Sequence, residues 1–409
     1  MASQAAELGR YGLRAAIVNE DTSHDPELFK AILDGYYDHV HISPEQLQRH
    51  QGHFTRFYHL LDKPAFRQRI QVINIDEGHE AGRAALGLDD FRSSYARLCA
   101  FRLKLPCGIP FVVLSATLPC HIISPLSKLL LLKNARETRL CLNRPNIYYA
   151  VQPLITGTKE FRNLSLLIPT SANLLGSLRK TIIFFDNKRE LDGACRFLRN
   201  EYTRLMDPTS GTHQILPAAR ALVMGYHSDM SSTYLRSTYE DFNALEGSCK
   251  ILCATACAAT VSPACISLFI CAINRVFQGL DFQRVEIVIQ YGMCHDLCSQ
   301  IQRAGRCARD PNIHGLFLYM PEPWALTQRC DLESQLYKDN PDLPLPLDTD
   351  DSASTSKAKS TPKDQRISQG SLAYVQSSNC RRRFQATYLG DESPNGLISR
   401  TYLIFQNVF

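Results

Sequence analysis

The sequence predicts an α/β protein with two parallel β-sheets, each in a domain of its own. Along residues 1–328, short apolar runs alternate with longer segments of helical character. Continuous apolar runs of this kind are typical of strands that are buried on both faces, as they are in parallel sheets. The second half of this region repeats the plan of the first, so the sequence indicates two similar domains.

The apolar runs define the predicted strands and the domain boundaries. In the first domain, residues 1–150, the predicted strands are 14–18, 38–43, 72–76 and 110–117. In the second domain, residues 151–328, they are 180–186, 220–227, 249–255, 285–292 and 314–320. The composition then changes to Pro, Asp, Ser, Thr and Lys, which predicts a flexible linker at 329–372 and a short C-terminal subdomain at 373–409.

Composition limits the classes of function. The chain has 409 residues, 44% of them hydrophobic, and a net charge of +5. This mild basic excess permits nucleic-acid binding but is weak support for it. The richest apolar segment, residues 264–273, is far shorter than the ~20 residues of a membrane span, and the first residues lack the apolar run of a secretory signal. We therefore expect no membrane partner.

The cysteines indicate a reducing compartment. All 15 are scattered along the chain, mostly within apolar strand-like runs. Without a secretory signal, this distribution favours free thiols over a disulfide framework. No C-x-x-C pair occurs, so we predict no metal site at the more widely spaced pairs Cys253 with Cys257 and Cys294 with Cys298.

An acid pair follows the third predicted strand, in the segment "QVINIDEGHEAG". Asp76 and Glu77 stand at the C-terminal end of the apolar run, and Gly78 and His79 come directly after them. In an α/β sheet this edge carries the ligand chemistry. An aspartate there can hold Mg²⁺ through water, and the adjacent glutamate can polarise a hydrolytic water. Such a site also requires a phosphate cradle of the form G-x-x-x-x-G-K-[ST].

Two hydroxyl residues, Ser115 and Thr117, end the next predicted strand in "LSATLP". Small hydroxyl side chains at this position can relay the state of a bound nucleotide between adjacent strands. An ordinary strand end explains the triplet at least as well.

The most specific segment is "QIQRAGRCARD", residues 300–310. Arg303, Arg306 and Arg309 recur every three residues, so on a helix they share one face. A solvated basic face is the ordinary explanation of such a pattern. We favour a second interpretation, in which the guanidinium groups reach a γ-phosphate held by the other domain, because the acid pair supplies the other half of such a site.

Taken in order along the chain, these segments resemble the motifs of superfamily 2 helicases, and the residues between them resemble RecQ-like DNA helicases. The match covers nearly the whole chain outside the linker. The segments that carry it are "HISPEQL" (41–47), "IDEGH", "DDFRSSYARL" (89–98), "LSAT", "LNRPNIYYAV" (142–151), "GYHSDMS", "ILCAT…QGLDF", "QRAGRCAR" and "NCRRRFQATYLGD". The resemblance implies two RecA-like domains followed by the start of a zinc-binding subdomain.

For the first domain, the resemblance implies an ATP and Mg²⁺ site. Asp76 would hold Mg²⁺ through water, and Glu77 would activate the attacking water. His79 and Thr117 would couple hydrolysis to domain movement, and Ser115 would belong to the same nucleotide-binding set.

For the second domain, the resemblance implies contacts with the same nucleotide. Gln302, Arg306 and Arg309 would contact the ATP phosphates, and Asp281, in "QGLDF", would lie near the ribose.

The resemblance also implies a DNA partner, either single-stranded DNA or a 3′-tailed duplex, with movement from 3′ to 5′ in the nucleus. The contacts, mainly with backbone phosphates, would come from Ser43, Pro44, Glu45, Arg92, His227, Ser228 and Thr255. Each has an alternative, since His227 also suits a satisfied strand-end histidine and Thr255 a helix cap.

The sequence departs from this pattern in four places. Its 409 residues contain no Gly-Lys dipeptide, so we expect a first domain that is incomplete, without the P-loop strand and helix. The loop after the acid pair has no aromatic residue before Phe91. Residues 260–276 split the motif that runs from Ala254 to Asp281. The last segment has Cys380 as its one cysteine, and one thiolate cannot hold a structural zinc.

We therefore interpret the chain as an ATP-dependent 3′–5′ DNA helicase of the RecQ type whose ATP hydrolysis is impaired. The alternative is a non-enzymatic helicase remnant that binds DNA. A third explanation is that the departures are errors of the gene model. In particular, we predict that residues 260–276 are an unspliced intron, since Val261-Ser262 can be encoded by GTAAGT and Asn274-Arg275 can contain AACAG.

Overall fold

The computed structural model contains two compact units, each with its own sheet. The first comprises Met1–Asn143, Val261–Leu280 and Ala386–Phe409, and the second comprises Arg144–Thr260 and Asp281–Gln385. The structure describes residues 5, 8–19, 21–22, 24–47, 49–50, 53–87, 98–133, 135–155, 157–208, 214–255, 266–269, 282–330, 335–344, 363 and 366–391.

The first unit is built on a five-stranded sheet. Its strands are β1 (Ala15–Val18), β2 (His39–Ile42), β5 (Val72–Ile75), β6 (Phe111–Val113) and β11 (Ile266–Phe269), while β3 (Arg49–His50) and β4 (His53–Phe54) form a separate hairpin. The order across the sheet is β1-β2-β11-β5-β6. β1 pairs parallel with β2, and β5 pairs parallel with β6. All four apolar runs predicted in this domain are strands.

Among the described helices of this unit are α1 (Pro26–Asp34), α2 (Arg56–Leu60), α3 (Pro64–Arg67), α4 (Gly78–Ala85), α5 (Leu98–Lys104) and α6 (Cys120–Leu129). Local sequence sets their ends. Asp25 caps α1 by accepting hydrogen bonds from the N–H groups of Glu27 and Leu28, and Gly35 ends it in a left-handed conformation with φ of 84°. Strand residues such as Ile73 and Val113 and helix residues such as Phe57 share one apolar core.

β11 comes from the segment that we predicted to be an unspliced intron. It lies between β2 and β5 and runs antiparallel to both, with Leu268 opposite Val40 on one side and Ile73 on the other. In the intact chain β2 and β5 are therefore each paired on the side that faces β11. Apolar residues with high strand propensity explain why the segment forms a strand rather than a loop. That residues 260–276 are encoded by an unspliced intron stays a prediction.

The second unit is built on a six-stranded parallel sheet. Its strands are β7 (Ile147–Val151), β8 (Thr181–Phe184), β9 (Val223–Tyr226), β10 (Ile251–Ala254), β12 (Ile287–Tyr291) and β13 (Gly315–Met320), in the order β7-β13-β12-β8-β10-β9. Each neighbouring pair is parallel. The five predicted strands of this domain are present. Strands such as β8, whose residues are all buried, have a nearly continuous apolar sequence.

The helices of the second half of the chain are α7 (Lys188–Met206), α8 (Pro217–Leu222), α9 (Ser232–Asn243), α10 (Leu297–Ala304), α11 (Trp324–Thr327), α12 (Gln335–Asp339), α13 (Gln369–Gln376) and α14 (Arg381–Leu389). α7 packs its apolar side, including Leu191 and Leu198, into a core with Ile183 and Cys253 of the sheet. Tyr202, at the far end of α7, is fully buried there and donates a hydrogen bond to the carbonyl of Leu167.

Two predicted boundaries differ from the structure. Residues 144–150 belong to the second unit, because β7 pairs with β13 and because Asn146 donates hydrogen bonds to the carbonyls of Ala308 and Ile313. Parts of the predicted linker are ordered: α12 lies within it, Pro344 bridges to Ser368, and Ile367 is 2% exposed. Apolar residues at both ends of the polar stretch explain why these ends pack.

Among the described helices, none combines the length and the apolarity that a membrane span requires.

Candidate functional site

The polar residues of the first unit that we predicted from sequence meet at one edge of its sheet. Ser43, Asp76 and Ser115 follow the C-terminal ends of β2, β5 and β6. These three strands run in the same direction, since β11 is antiparallel to both β2 and β5 and β5 is parallel to β6. Their carboxyl ends therefore lie along a single edge, where α/β sheets place their ligand sites.

A tight turn at this edge carries the acid pair. Glu77 has φ of 52°, a left-handed conformation that is uncommon for a residue with a side chain. The N–H of Gly78 then donates to the carbonyl of Leu114 at 2.9 Å. A Cβ on Gly78 would lie 2.2 Å from Val113 Cγ1, so only glycine permits this approach between the turn and β6. Backbone strain at a member of an acid pair is typical of functional sites.

His79 links the acid pair to the hydroxyl motif. It is 3% exposed, and its Nδ1 lies 2.9 Å from Ser115 Oγ and 3.3 Å from a Glu77 carboxylate oxygen. Its Nε2 lies 3.4 Å from Glu80 Oε1. Ser115 Oγ also accepts a hydrogen bond from the N–H of Thr117 at 3.2 Å. A continuous chain of contacts thus connects Glu77, His79, Ser115 and Thr117.

The electrostatics of this cluster are unusual. Burial alone would lower the pKa of His79, but the hydrogen bond with Glu80 and the charges of Glu80 and Glu77 outweigh it and raise that pKa. Burial and the neighbouring charge of Glu77 raise the pKa of Asp76 to about 7. The N–H of Glu77 donates to Asp76 Oδ1 at 2.9 Å. Buried titratable groups whose pKa is shifted by desolvation together with a charged neighbour are characteristic of functional sites.

Asp76 suits Mg²⁺ as a single oxygen ligand. Mg²⁺ prefers hard oxygen donors and is commonly held by one or two carboxylates together with phosphate oxygens and water. In the part of the chain that the structure describes, no group of three or more His, Cys, Asp or Glu residues could form an all-protein metal cage. The donor at this edge therefore fits a metal that arrives with a phosphate ligand.

In the second unit, His227 and Thr255 come together at the corresponding edge. They follow the C-terminal ends of β9 and β10, and the N–H of Thr255 donates to the carbonyl of Tyr226 at 3.2 Å. Both are 8% exposed. His227 Nδ1 accepts a hydrogen bond from the N–H of Asp229, and its Nε2 lies 3.7 Å from Asp192 Oδ1. The adjacent Ser228 is exposed.

The prediction of three arginines on one helix face is wrong. α10 ends at Ala304 with Gly305 as its C-cap, so only Arg303 is helical. Arg306 is buried in the turn that follows, and Arg309 is half-buried beyond Ala308, whose φ is 44°. The every-third spacing failed as a guide because the helix stops one residue after Arg303.

Arg303 is buried and paired with another side chain, so it does not belong to a solvent-exposed basic face. One of its guanidinium nitrogens donates to Asp186 Oδ1 and to Gln290 Oε1, each at 2.6 Å, and the arginine is 4% exposed. Burial alone would lower the pKa of Arg303, but the charge of Asp186 outweighs it and raises that pKa. Asp186 was not predicted to be a partner of Arg303. The available signal was an acid directly after an apolar strand, in "KTIIFFD".

The remaining predicted site residues lie as follows. Pro44 begins a 3₁₀ helix, Pro44–Leu47, directly after Ser43, and Glu45 is exposed on it. Gln302 is half-buried on α10. Arg92 and Asp281 lie outside the described residues. Cys380 is an exposed free thiol. The incomplete zinc site stays a prediction from the sequence.

Residues 167–311 match the helicase conserved C-terminal domain. The chain is a relative of DNA and RNA helicases. Over 310 residues it is 23% identical to the putative ATP-dependent RNA helicase R290 of Acanthamoeba polyphaga mimivirus, an alignment of 76% of this chain and 46% of that protein. Over 153 residues, 36% of this chain and 21% of the relative, it is 27% identical to the ATP-dependent DNA helicase Q-like 2 of Arabidopsis thaliana. A rat protein, ATP-dependent DNA helicase Q1, is 24% identical over 175 residues, 41% of this chain and 27% of its own length.

Solved helicase structures share the fold. Mss116p bound to single-stranded RNA and AMP-PNP has a TM-score of 0.51 at 18% identity, covering 78% of this chain and 56% of its own. Mss116 bound to single-stranded RNA and UDP-BeF has a TM-score of 0.54 at 18% identity, covering 80% and 59%. This likeness confirms the predicted parallel-sheet α/β fold. The alignments span less than half of each curated relative named above.

Proposed function

We propose that the protein is an ATP-dependent DNA helicase of the RecQ type, which moves from 3′ to 5′ on single-stranded DNA in the nucleus. The observation that carries this proposal is the 2.9 Å contact between His79 and Ser115, which joins the acid pair to the hydroxyl motif of the next strand. The helicase C-terminal match in residues 167–311 supports the same class. The relatives from Arabidopsis and rat support a DNA substrate, whereas the mimiviral relative is named as a putative RNA helicase.

The first unit would bind and polarise the reacting groups. Mg²⁺ bound with ATP would neutralise phosphate charge, and Asp76 is the residue that would hold it. Glu77, half-buried on its strained turn, would orient the attacking water and accept its proton. His79 contacts Glu77, Glu80 and Ser115. A change in the charge of Glu77 would alter the contacts of His79, and through Ser115 it would affect Thr117.

The second unit would supply phosphate contacts. Gln302, Arg306 and Arg309 are the residues proposed to touch the ATP phosphates. Arg303 is paired with Asp186, whereas Arg306 and Arg309 come after the end of α10. Asp281 is proposed to lie near the ribose.

DNA contacts are proposed at the carboxyl edge of each sheet. Ser43, Pro44, Glu45 and Arg92 belong to the first unit, and His227, Ser228 and Thr255 belong to the second. The neighbouring positions of His227 and Thr255 at the ends of β9 and β10 support a shared phosphate contact. Sequence-independent binding of a single strand needs contacts of this backbone-directed kind.

A second function has its own observation. The 409 residues contain no Gly-Lys dipeptide, so the lysine and amide cradle that hold β- and γ-phosphates are not in this sequence. The acid pair contributes little to ATP binding without them. We therefore expect this chain to bind ATP no tighter than about millimolar, an affinity of roughly −4 kcal/mol. A non-enzymatic DNA-binding protein is the alternative that this feature favours.

The test compares the 409-residue chain with Glu77→Gln, His227→Ala and Thr255→Val. Anisotropy measures affinity for single-stranded DNA and for RNA of the same sequence, and phosphate release measures ATP hydrolysis with and without DNA. We expect DNA to be preferred and the His227 and Thr255 variants to bind it more weakly. DNA-stimulated hydrolysis that Glu77→Gln abolishes, with unwinding of 3′-tailed duplexes, supports the helicase. DNA binding without hydrolysis supports the alternative, and preference for RNA contradicts the RecQ assignment.

A further inference from the structure

A pocket of about 270 Å³ opens on the second unit, away from the residues proposed to contact ATP. Three arginines line it: Arg196 and Arg199 from α7 and Arg220 from α8. Cys195, 4% exposed, and Gly225 of β9 also line it. A Cβ on Gly225 would lie 3.1 Å from Met230 Cε and 3.2 Å from Leu191 Cδ2, so glycine lets these side chains pack close to β9.

The arginines of this pocket lack acidic partners. Within the described residues, no carboxylate lies within ion-pair distance of Arg196, Arg199 or Arg220. The one acid in the lining, Asp192, is directed to His227, 3.7 Å away. The segment 209–213, whose sequence is "TSGTH", contains no acid either. This contrasts with Arg303, whose charge is matched by Asp186.

One of the three arginines is held in place by the sheet. Arg199 is half-buried, and its Nε donates to the carbonyl of Val223 at 2.9 Å. A guanidinium fixed through Nε leaves its terminal nitrogens for a ligand and loses less side-chain entropy on binding.

Three like charges around one concavity produce a positive potential that attracts an anion. Guanidinium groups match the oxygens of phosphate in geometry as well as charge. The pocket's volume is just below the range of about 300–1,000 Å³ that is usual for small-molecule sites, which favours a phosphate or diphosphate group over a whole nucleotide. We propose that Arg196, Arg199 and Arg220 form a binding site for a phosphate or diphosphate group, either as a free anion or at the end of a nucleic-acid strand.

The experiment is a calorimetric titration of the 409-residue chain with pyrophosphate at low salt. It is made in an Arg306→Gln, Arg309→Gln background, so that the arginines proposed to contact ATP do not contribute. We expect one saturable site, weakened ~10-fold or more by Arg196→Gln or Arg220→Gln, since each removes a charge-assisted contact. Arg236→Gln is the matched control, because Arg236 is exposed and already paired with Glu240 at 3.0 Å.

Fluorescence of the single tryptophan, Trp324, checks that each variant keeps the second unit folded. The absence of saturable binding, or equal affinity in the Arg196, Arg220 and Arg236 variants, would overturn the proposal. The result is independent of the helicase function, since pyrophosphate binding here requires neither ATP hydrolysis nor DNA unwinding.

The source of the phosphate is decided with short DNA oligonucleotides that carry a 5′-phosphate or a 5′-hydroxyl. A preference for the 5′-phosphate that pyrophosphate competes away and Arg220→Gln removes assigns the site to strand ends. Equal affinity for the two oligonucleotides, together with the pyrophosphate site, assigns it to a free anion.

Discussion

The buried Arg303 and the exposed Asp186 form an ion pair that connects α10 to the end of β8. The nitrogen that lies 2.6 Å from Asp186 Oδ1 also lies 2.6 Å from Gln290 Oε1, on the neighbouring strand β12. The pair therefore fixes the start of the arginine-rich turn relative to the sheet. Arg306 and Arg309 follow this anchored residue in the chain, beyond the end of α10.

The first prediction concerns this pair. Arg303→Gln removes the charged hydrogen bonds that the buried guanidinium donates to the exposed Asp186 and to Gln290, and hydrogen bonds to charged groups contribute about 1.5–3 kcal/mol. Trp324 is the one tryptophan in the sequence and lies in the second unit, so its fluorescence during urea unfolding reports that unit selectively. Arg236→Gln, which breaks an exposed pair, serves as the control and should change the free energy of unfolding by less than about 1 kcal/mol. Equal effects of the two substitutions would contradict a structural role for Arg303.

The second prediction concerns the contact between His79 and Ser115. Their hydrogen bond is buried, and such bonds contribute about 0.5–1.5 kcal/mol to stability. We expect a double-mutant cycle of His79→Gln and Ser115→Ala to give a coupling energy in this range, measured as the hydrogen-exchange protection of β5 and β6. A cycle of Arg14→Gln and Asp38→Asn, an exposed pair at the far end of β1 and β2, is the comparison within the same unit. Strict additivity at His79 and Ser115 would show that the two side chains do not communicate.

The third prediction concerns Cys380. It is exposed, and hydrogen bonds from the backbone N–H groups of Arg383 and Arg382 at the start of α14 lower its pKa. A lower pKa leaves more thiolate at neutral pH, and the thiolate is the nucleophile. We expect iodoacetamide at pH 7 to alkylate Cys380 faster than the exposed Cys107 and Cys120, with the difference shrinking as the pH rises above the ordinary thiol range. Mass spectrometry of the digested protein measures the three rates, and a rate for Cys380 that does not exceed the others would refute the prediction.

The sequence predicted the strands better than the contacts between them. Runs such as "KTIIFFD" and "VEIVIQYG" are strands because only a doubly buried position stabilises that many apolar residues together. The edge positions of Asp76, Ser115, His227 and Thr255 followed directly from where those runs stop. What sequence reasoning could not supply was pairing between residues far apart in the chain. Arg303 finds Asp186 across 117 residues, and no local pattern indicates which of three arginines does so.

The position of β11 escaped prediction for the same reason. Residues 266–269 pair with β2 and β5, strands that stand about two hundred residues earlier in the sequence. An apolar segment within the second domain gave no sign that its partners lie in the first. Periodicity identifies a strand, but it does not identify the sheet to which the strand belongs.

The fourth prediction concerns the isolated first domain. Residues 1–150 alone lack β11, so β2 and β5 would each present an unpaired edge. Unpaired edges of apolar strands promote association between chains. We expect this fragment to be insoluble on expression, and the same fragment carrying residues 261–280 on a flexible linker to be more soluble. A cooperative thermal transition of the fragment 1–150 without the added segment would contradict this expectation.

The last prediction tests the strand itself in the intact chain. Leu268→Pro removes a backbone donor from the middle of a strand that has neighbours on both sides, and proline is poorly tolerated in such central strands. We expect amides of β2 and β5 to lose hydrogen-exchange protection, while the Trp324 transition of the second unit stays unchanged. Ser267→Thr is the control, because it keeps the backbone donor and a residue suited to strands. Unaltered protection of β2 and β5 in Leu268→Pro would mean that β11 does not stabilise the sheet.

Sequencing the transcript addresses the separate prediction that residues 260–276 are an unspliced intron. If a spliced message without these codons dominates, its product has no β11, and the protection measured for Leu268→Pro indicates how far its first sheet is weakened.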